Sequence, residues 1–396
     1  MKKSFFLLTL LVFSNALFSA QKKTSSKTVD YLKGNITEKT AAVRDSSGEE
    51  GLFLSKMALE FAIENKAYLG NDRDLDGLVI SAILSIPDDY FSSANAALNQ
   101  DILNSYIEIF QKFSDSQTVQ IAVIQKFVQL RNRIETKNFT GLFNAYIQKL
   151  NPSSQNDAAI IRAVINSFES LGDRESFVLL YNFWNNKRYA SFYDDIEKAL
   201  ISLSEISINE IIQIIHSKDL NQICKVFALV QKNSKISKNL LCEIAENALA
   251  ESILLVDSTS KYTGEVRDLQ SQALAILEEN SWTRASAIAI DYMSFCKKLY
   301  DNSLVDEKFF AGVITSMSNI SPIESVTKLC AFLEEFNGRK EKDEKVSDAV
   351  VKAVIETLGA IGNKSAFDYL LAVTYLSYSD EVLSAARDAL AGLRWQ

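Results

Sequence analysis

The sequence predicts an all-α protein, a right-handed α-solenoid of antiparallel helix pairs with roughly eighteen helices. Three observations carry that expectation. The 396 residues include only 3 prolines and 13 glycines, a shortage of the residues that punctuate sheets and tight turns. Apolar residues recur at three- and four-residue steps from Gly51 onward, as in "LFLSKMALEFAIENKAYL", "ILNSYIEIFQKF" and "EVLSAARDALAGL", the spacing of an amphipathic helix. Breaks fall every 12 to 20 residues at short polar or Gly/Asn/Asp clusters, and no stretch shows strand alternation. The third observation is that the chain repeats itself.

The first element reads as a secretory signal peptide over residues 1–20. Lys2 and Lys3 precede an apolar run from Phe5 to Phe13, and small residues follow. That run is too short to span a bilayer. Cleavage after Ala16 and cleavage after Ala20 both remain open. Residues 21–50 are polar and mixed in charge, with "KTSSKT" and "RDSSGEEG", and read as a weakly ordered lead-in. Residues 51–396 form the helical array.

Within the array, residues 160–203 and 350–393 align without a gap over 44 positions, and most apolar positions stay apolar. Nine positions are identical, among them Ala163-Val164-Ile165 with Ala353-Val354-Ile355, Gly172 with Gly362, and Phe177 with Phe367. Two weaker copies lie 41 residues upstream, one from Val119 and one from Ala311. Gly172-Asp173 and Gly362-Asn363 each pair a helix-ending glycine with a residue suited to cap the next helix. A turn that short returns the second helix antiparallel. One such hairpin cannot bury its apolar face alone, so neighbours must stack on it. Between residues 204 and 300 the repeats cannot be phased.

Paired-helix units of about 41–44 residues resemble the HEAT/armadillo class, whereas tetratricopeptide units run near 34. "VIETLGAIGNKSAFDYL" is the most HEAT-like segment. The resemblance covers residues 50–396 and implies a scaffold with an extended binding face.

Charge and cysteine usage narrow the function. The formal charge is −8, and removing the two lysines of residues 1–20 makes it −10. An acidic surface disfavours nucleic acid and anionic lipid. After signal cleavage no stretch is apolar long enough to insert in a membrane, so the expected location is periplasmic or secreted. Cys224, Cys242, Cys296 and Cys330 each sit in a helix-period apolar stretch, where free cysteine packs as a small apolar residue. If one bridge forms, Cys224–Cys242 is the pair to expect. Zinc has neither a Cys-x-x-Cys nor a second histidine to bind.

Candidate chemistry is sparse. "GNDRDLDGLVISAIL" places Asp72, Asp74 and Asp76 on alternate positions before Gly77, as a calcium loop begins, but its twelfth position is Ile83 where a bidentate acid is required. The simpler reading is that Asp74 or Asp76 caps a helix. His216, the single histidine, belongs at a helix C-terminus. Adjacent acids such as Asp88-Asp89, Asp194-Asp195 and Glu334-Glu335 read as solvated, and "NGRKEKDEK" (Asn337 to Lys345) reads as a loop, solvated or docking. Aromatic clusters at Tyr181–Tyr193 and Tyr369–Tyr378 hold the candidate partner contacts Trp184, Tyr189, Tyr375 and Tyr378, with packing between repeats as their other reading.

The sequence therefore predicts an exported, non-enzymatic scaffold for a protein partner, with no cofactor. The alternatives are a self-associating envelope protein and a carboxylate-based hydrolase on a helical frame.

Overall fold

The computed structural model describes residues 26–91, 96–135, 137–259 and 261–394. Among them are twenty α-helices, several short 3-10 turns and no strand. One isolated backbone bridge joins Asn363 to Arg394. Residues 1–20, read as a signal peptide, lie outside the described residues.

Eighteen of the helices follow from Gly48 onward. The other two, α1 (Ser26–Lys33) and α2 (Ile36–Arg44), lie in the stretch expected to be a weakly ordered lead-in. Its polar composition hid two local signals. Asn35 and Glu38 form a reciprocal capping box, at 2.9 Å from the Glu38 amide to Asn35 Oδ1 and 2.8 Å from the Asn35 amide to Glu38 Oε2. Tyr31 and Val43 are then buried, at 2% and 0% exposure.

The chain forms two compact units that divide between Ala199 and Leu200. In the first unit, α3 (Gly48–Leu69), α4 (Arg73–Ser85), α5 (Ala96–Lys112) and α6 (Gln117–Leu130) follow in order. Then come α7 (Lys137–Ile147), α8 (Ala158–Leu171) and α9 (Arg174–Trp184), and the division falls within α10 (Tyr193–Leu203). Helices α2, α4, α6 and α8 pack successively on one another, while α3 packs on α5 and α7 on α9. Every second helix is thus a neighbour, as expected when each short turn sends the chain back across the layer.

The second unit repeats this pattern by itself. It comprises α11 (Ile208–Ile215), α12 (Leu220–Gln231), α13 (Lys238–Thr259), α14 (Gly264–Glu279), α15 (Ser286–Asp301), α16 (Glu307–Ile320), α17 (Ser325–Glu341), α18 (Asp348–Ile361), α19 (Phe367–Val373) and α20 (Asp380–Ala391). The odd-numbered helices form one contact series from α11 to α19, and the even-numbered ones another from α12 to α20.

The two best sequence copies take the same local form. Helix α8 and helix α18 occupy identical positions in the alignment. Each 44-residue copy holds three helical segments rather than a pair, because the second helices are short, at 11 and 7 residues for α9 and α19. The glycines differ from each other. Gly362 ends α18 in the left-handed region at φ 72°, whereas Gly172 ends α8 in an extended conformation. Asp173 then caps α9 by accepting from the Ser176 amide at 2.8 Å, and Asn363 accepts from the Ser365 amide at 3.0 Å.

Candidate functional site

Between the loops that follow α15 and α17 lies a groove of about 870 Å³. The helix ends that make it are closed by an unusual choice of residue. After α15, the Leu304 amide reaches back to the Leu299 carbonyl and the Ser303 amide to Tyr300. After α17, the Glu344 amide reaches Arg339 and the Asp343 amide reaches Lys340. This is the Schellman pattern, whose left-handed position usually holds glycine. Here Ser303 and Asp343 adopt it, at φ 59° and 57°.

The groove has an apolar floor of Val305, Phe336 and Val350, and a charged rim. Lys297 lies under that rim with its side chain 8% exposed. Its ammonium donates to both oxygens of Asp301, at 2.9 and 2.7 Å, and to Glu335 Oε1 at 2.9 Å. It also sits 5.9 and 5.5 Å from the ring centres of Phe332 and Phe336. A buried ammonium needs such partners, since an unpaired charge there costs several kcal/mol. Arg339 ties the loop after α17 by donating to Glu344 Oε2 and to the Lys345 carbonyl, both at 3.3 Å. Across the groove, Glu307 accepts from Ser347 at 2.5 Å, and Asp306 caps α16 by accepting from the Phe309 amide at 2.8 Å. Arg267 and Leu304 complete the walls, Leu304 being 58% exposed.

Asn337 to Lys345 is thus only partly a loop, since α17 continues to Glu341. Asn337 itself is buried and structural. Its amide donates to the Tyr369 carbonyl at 3.3 Å, and its Oδ1 accepts from the Tyr378 hydroxyl at 3.1 Å. Tyr378 is accordingly 6% exposed, and burial, with Asp348 adding to it, pushes its phenol up to about 12. Tyr189 is likewise 6% exposed and stacks on Phe183 at 3.9 Å between ring centres. Both are packing residues rather than exposed anchors. Trp184 is half-buried with its ring 6.2 Å from that of Tyr181. Tyr375, at 80% exposure, is the one of the four candidates that presents most of its surface to solvent.

The aspartates of the first unit divide three tasks. Asp72, not Asp74 or Asp76, caps α4, its Oδ1 accepting from the amides of Asp74 at 2.7 Å and Leu75 at 3.4 Å. Asp74 accepts from Thr37 at 3.3 Å and Asp76 from Ser116 at 2.7 Å. Gly77 is helical, and Ile83 at the twelfth position is fully buried. The alternating spacing matches a calcium loop only on paper, because a helix turns successive odd positions to different sides. Among the described residues no group of three or more His, Cys, Asp or Glu side chains is placed to share a metal ion.

The remaining candidates have partners of their own. His216 ends α11, with Nδ1 3.0 Å from Glu251 Oε2. Asp88 pairs with Lys126 at 2.6 Å while Asp89 pairs with Arg133 at 2.8 Å, so the two adjacent acids diverge. All four cysteines are free. Cys242, Cys296 and Cys330 are buried, and burial pushes the last two up to about 12 and about 11. No helix among the described residues is long and apolar enough to cross a membrane.

The buried lysines Lys66, Lys126 and Lys297 escaped the sequence reading altogether. The signal was present, because each stands where the helical period calls for an apolar residue, as Lys126 does just before Phe127. Compared with known proteins, the chain matches no family model, no curated protein and no solved structure.

Proposed function

We propose that the chain is a right-handed α-solenoid of HEAT-like helix pairs that serves as an exported, non-enzymatic scaffold for a protein partner. The observation that carries this reading is a set of polar cross-links, among others of different span, that join residues about forty apart. Within the second unit, Lys297–Glu335, Ser316–Glu278, Ser286–Glu324, Ser347–Glu307 and Tyr378–Asn337 join residues 38, 38, 38, 40 and 41 apart. In the first unit, Ser116–Asp76 and the bond from Lys126 to the Ile86 carbonyl each span 40. These separations match the 41-residue sequence repeat, and the contact between every second helix agrees with them. Export rests on residues 1–20. The scaffold role is supported by the groove beside Leu304, where Asp301 and Glu335 both accept from the Lys297 ammonium.

The test is capture from the source organism's envelope extract with the mature chain as bait, with calcium and with chelator. Leu304→Asp and Tyr375→Ala baits run alongside. A protein retained by the parent in both conditions, and lost by one variant whose thermal melting is unchanged, is the expected result. Retention only with calcium would return attention to Asp72–Asp76. Absence of any retained protein, or turnover of envelope polymer abolished by a single Asp or Glu substitution, overturns the scaffold reading.

A further inference from the structure

Helices α14 and α16 run in the same direction, because α15 reverses the chain between them, and they bound a groove of about 550 Å³. Its floor is apolar, with Leu274, Val313 and the buried ring of Tyr292. Its walls are short, with Ser271 and Ala275 on α14 and Gly312 and Ser316 on α16. A Cβ built on Gly312 would meet nothing within 4 Å, so the groove is open there. Charge divides between its two ends. Arg267 and Lys308 stand at one end, both exposed and neither in an ion pair among the described residues. Glu278 stands at the other, its Oε2 accepting from Ser316 at 2.7 Å. The acids near the basic end have other tasks. Asp306, which shares that end, caps α16 through the Phe309 amide, and Glu307 accepts from Ser347 ahead of α18. Burial pushes the Cys224 thiol up, and Glu265 and Asp268 add to it, which places both acids on the side of α14 that faces α12.

We infer that this groove binds an extended peptide segment of a protein partner, acidic at one end, basic at the other, and small or aliphatic between. The length follows from the helix. Arg267 and Glu278 stand 11 positions apart on α14, about 16 Å along its axis, which about five extended residues span. The charges select the ends. A uniformly acidic segment would meet Glu278, and a uniformly basic one would meet Arg267 and Lys308, so opposite ends are required. The short walls and apolar floor select the middle, since a charge seated there would be desolvated without a counterion. The hydroxyls select a peptide over a lipid chain. Ser271 donates to the Arg267 carbonyl at 2.8 Å and Ser316 to Glu278, so both hydroxyl oxygens keep lone pairs for amide donors. An acyl chain has no such donor. Arg267 and Asp306 also line the groove beside Leu304, so a segment seated here continues the surface assigned to the partner. The inference rests on the scaffold reading.

Fluorescence anisotropy with blocked, dye-labelled hexapeptides tests it at low salt, where the end charges are least screened. One peptide has glutamate first, lysine last, and valine and alanine alternating between them. Two others carry glutamate at both ends or lysine at both ends. The mixed peptide should bind the mature chain at least about tenfold more tightly than either of the others. Gly312→Leu, which fills the groove, should weaken that binding by at least about tenfold with circular dichroism unchanged. Arg267→Glu combined with Lys308→Glu should transfer the preference to the peptide with lysine at both ends. Equal binding of the three peptides, or no binding of any up to millimolar concentration, overturns the proposal. So does binding indifferent to Gly312→Leu. Each of these failures leaves the scaffold reading standing, because that reading is decided by capture with the Leu304→Asp and Tyr375→Ala baits.

Discussion

Replacing Gly359 with alanine sets two calculable effects against each other. The residue lies inside α18, where alanine is favoured over glycine by about 1 kcal/mol through helix propensity alone. A methyl built on Gly359, however, meets Ala389 Cβ at 2.8 Å and Ala389 Cα at 2.9 Å, on the facing helix α20. Neither atom is the free end of a flexible side chain, so α20 must move, and overpacking of that kind costs about 1–3 kcal/mol. The net expectation is a loss of about 1 kcal/mol. Gly338, inside α17 of the same unit, has nothing within 4 Å of the position its Cβ would take. There Gly338→Ala keeps the propensity gain and is expected to stabilise by up to about 1 kcal/mol. The two variants should therefore differ by about 2 kcal/mol with opposite signs. Urea unfolding followed by fluorescence in a Trp184→Phe, Trp395→Phe background, which leaves Trp282 as the one tryptophan, reads both changes within one unit, with Cm compared at equal m. A Gly359→Ala protein as stabilised as Gly338→Ala would show that α18 and α20 do not approach as closely as described, and the reasoning would fail.

Further outcomes follow from the same structure. Lys126→Met removes the ammonium shared by Asp88 and the Ile86 carbonyl; with Asp88 39% exposed, the loss should be about 1–3 kcal/mol by urea unfolding, and Asp88→Asn should lose less. Ser303→Gly and Asp343→Gly relieve left-handed non-glycine residues and should each stabilise by about 0.5–1 kcal/mol, whereas an alanine at either site should not. A thiol reagent added to native protein at mildly alkaline pH should modify Cys224, which is half-exposed. Cys242, Cys296 and Cys330 should react only on unfolding, and mass spectrometry of digested protein distinguishes the four. The burial that raises the Cys296 and Cys330 thiols keeps their reactive anions scarce even where the reagent can reach.

The sequence revealed the helices because their signal is repeated many times over: α8 and α18 each bury seven residues on one face, and the alignment placed them in register. Single-residue roles were less legible. Asp72, Asp74 and Asp76 are equivalent as letters, and only the start of α4 at Arg73 makes the first of them the cap. The Tyr189 and Tyr378 rings were open between partner contact and packing between repeats, and each packs inward, onto Phe183 and Asn337 respectively. Ser303 and Asp343 in the left-handed region had no signature, since glycine is the residue that marks such turns. The groove they frame is made by segments more than thirty residues apart, a juxtaposition that a local pattern does not encode.

Stacked helices raise a problem that apolar burial cannot solve by itself. Ridges and grooves of aliphatic side chains recur every turn, so a hairpin displaced by one turn along its neighbour would still bury a comparable apolar area. The polar cross-links break that degeneracy. Lys126 finds both of its oxygen partners, the Ile86 carbonyl and Asp88, on the preceding repeat. A shift of one turn would leave the ammonium buried without either, at a cost of several kcal/mol. Lys66 at Asp115, Lys297 at Glu335 and Asn233 at Ser204 impose the same condition within their own units. Replacing such pairs by apolar residues could match them in stability, because desolvating the charges consumes much of what the pairing returns. What the apolar replacement would lose is the penalty on every other register, so these links, whether they span 29 residues as Asn233–Ser204 does, 38 as Lys297–Glu335 does or 49 as Lys66–Asp115 does, are best understood as specification of how neighbouring helices register rather than as the main source of stability.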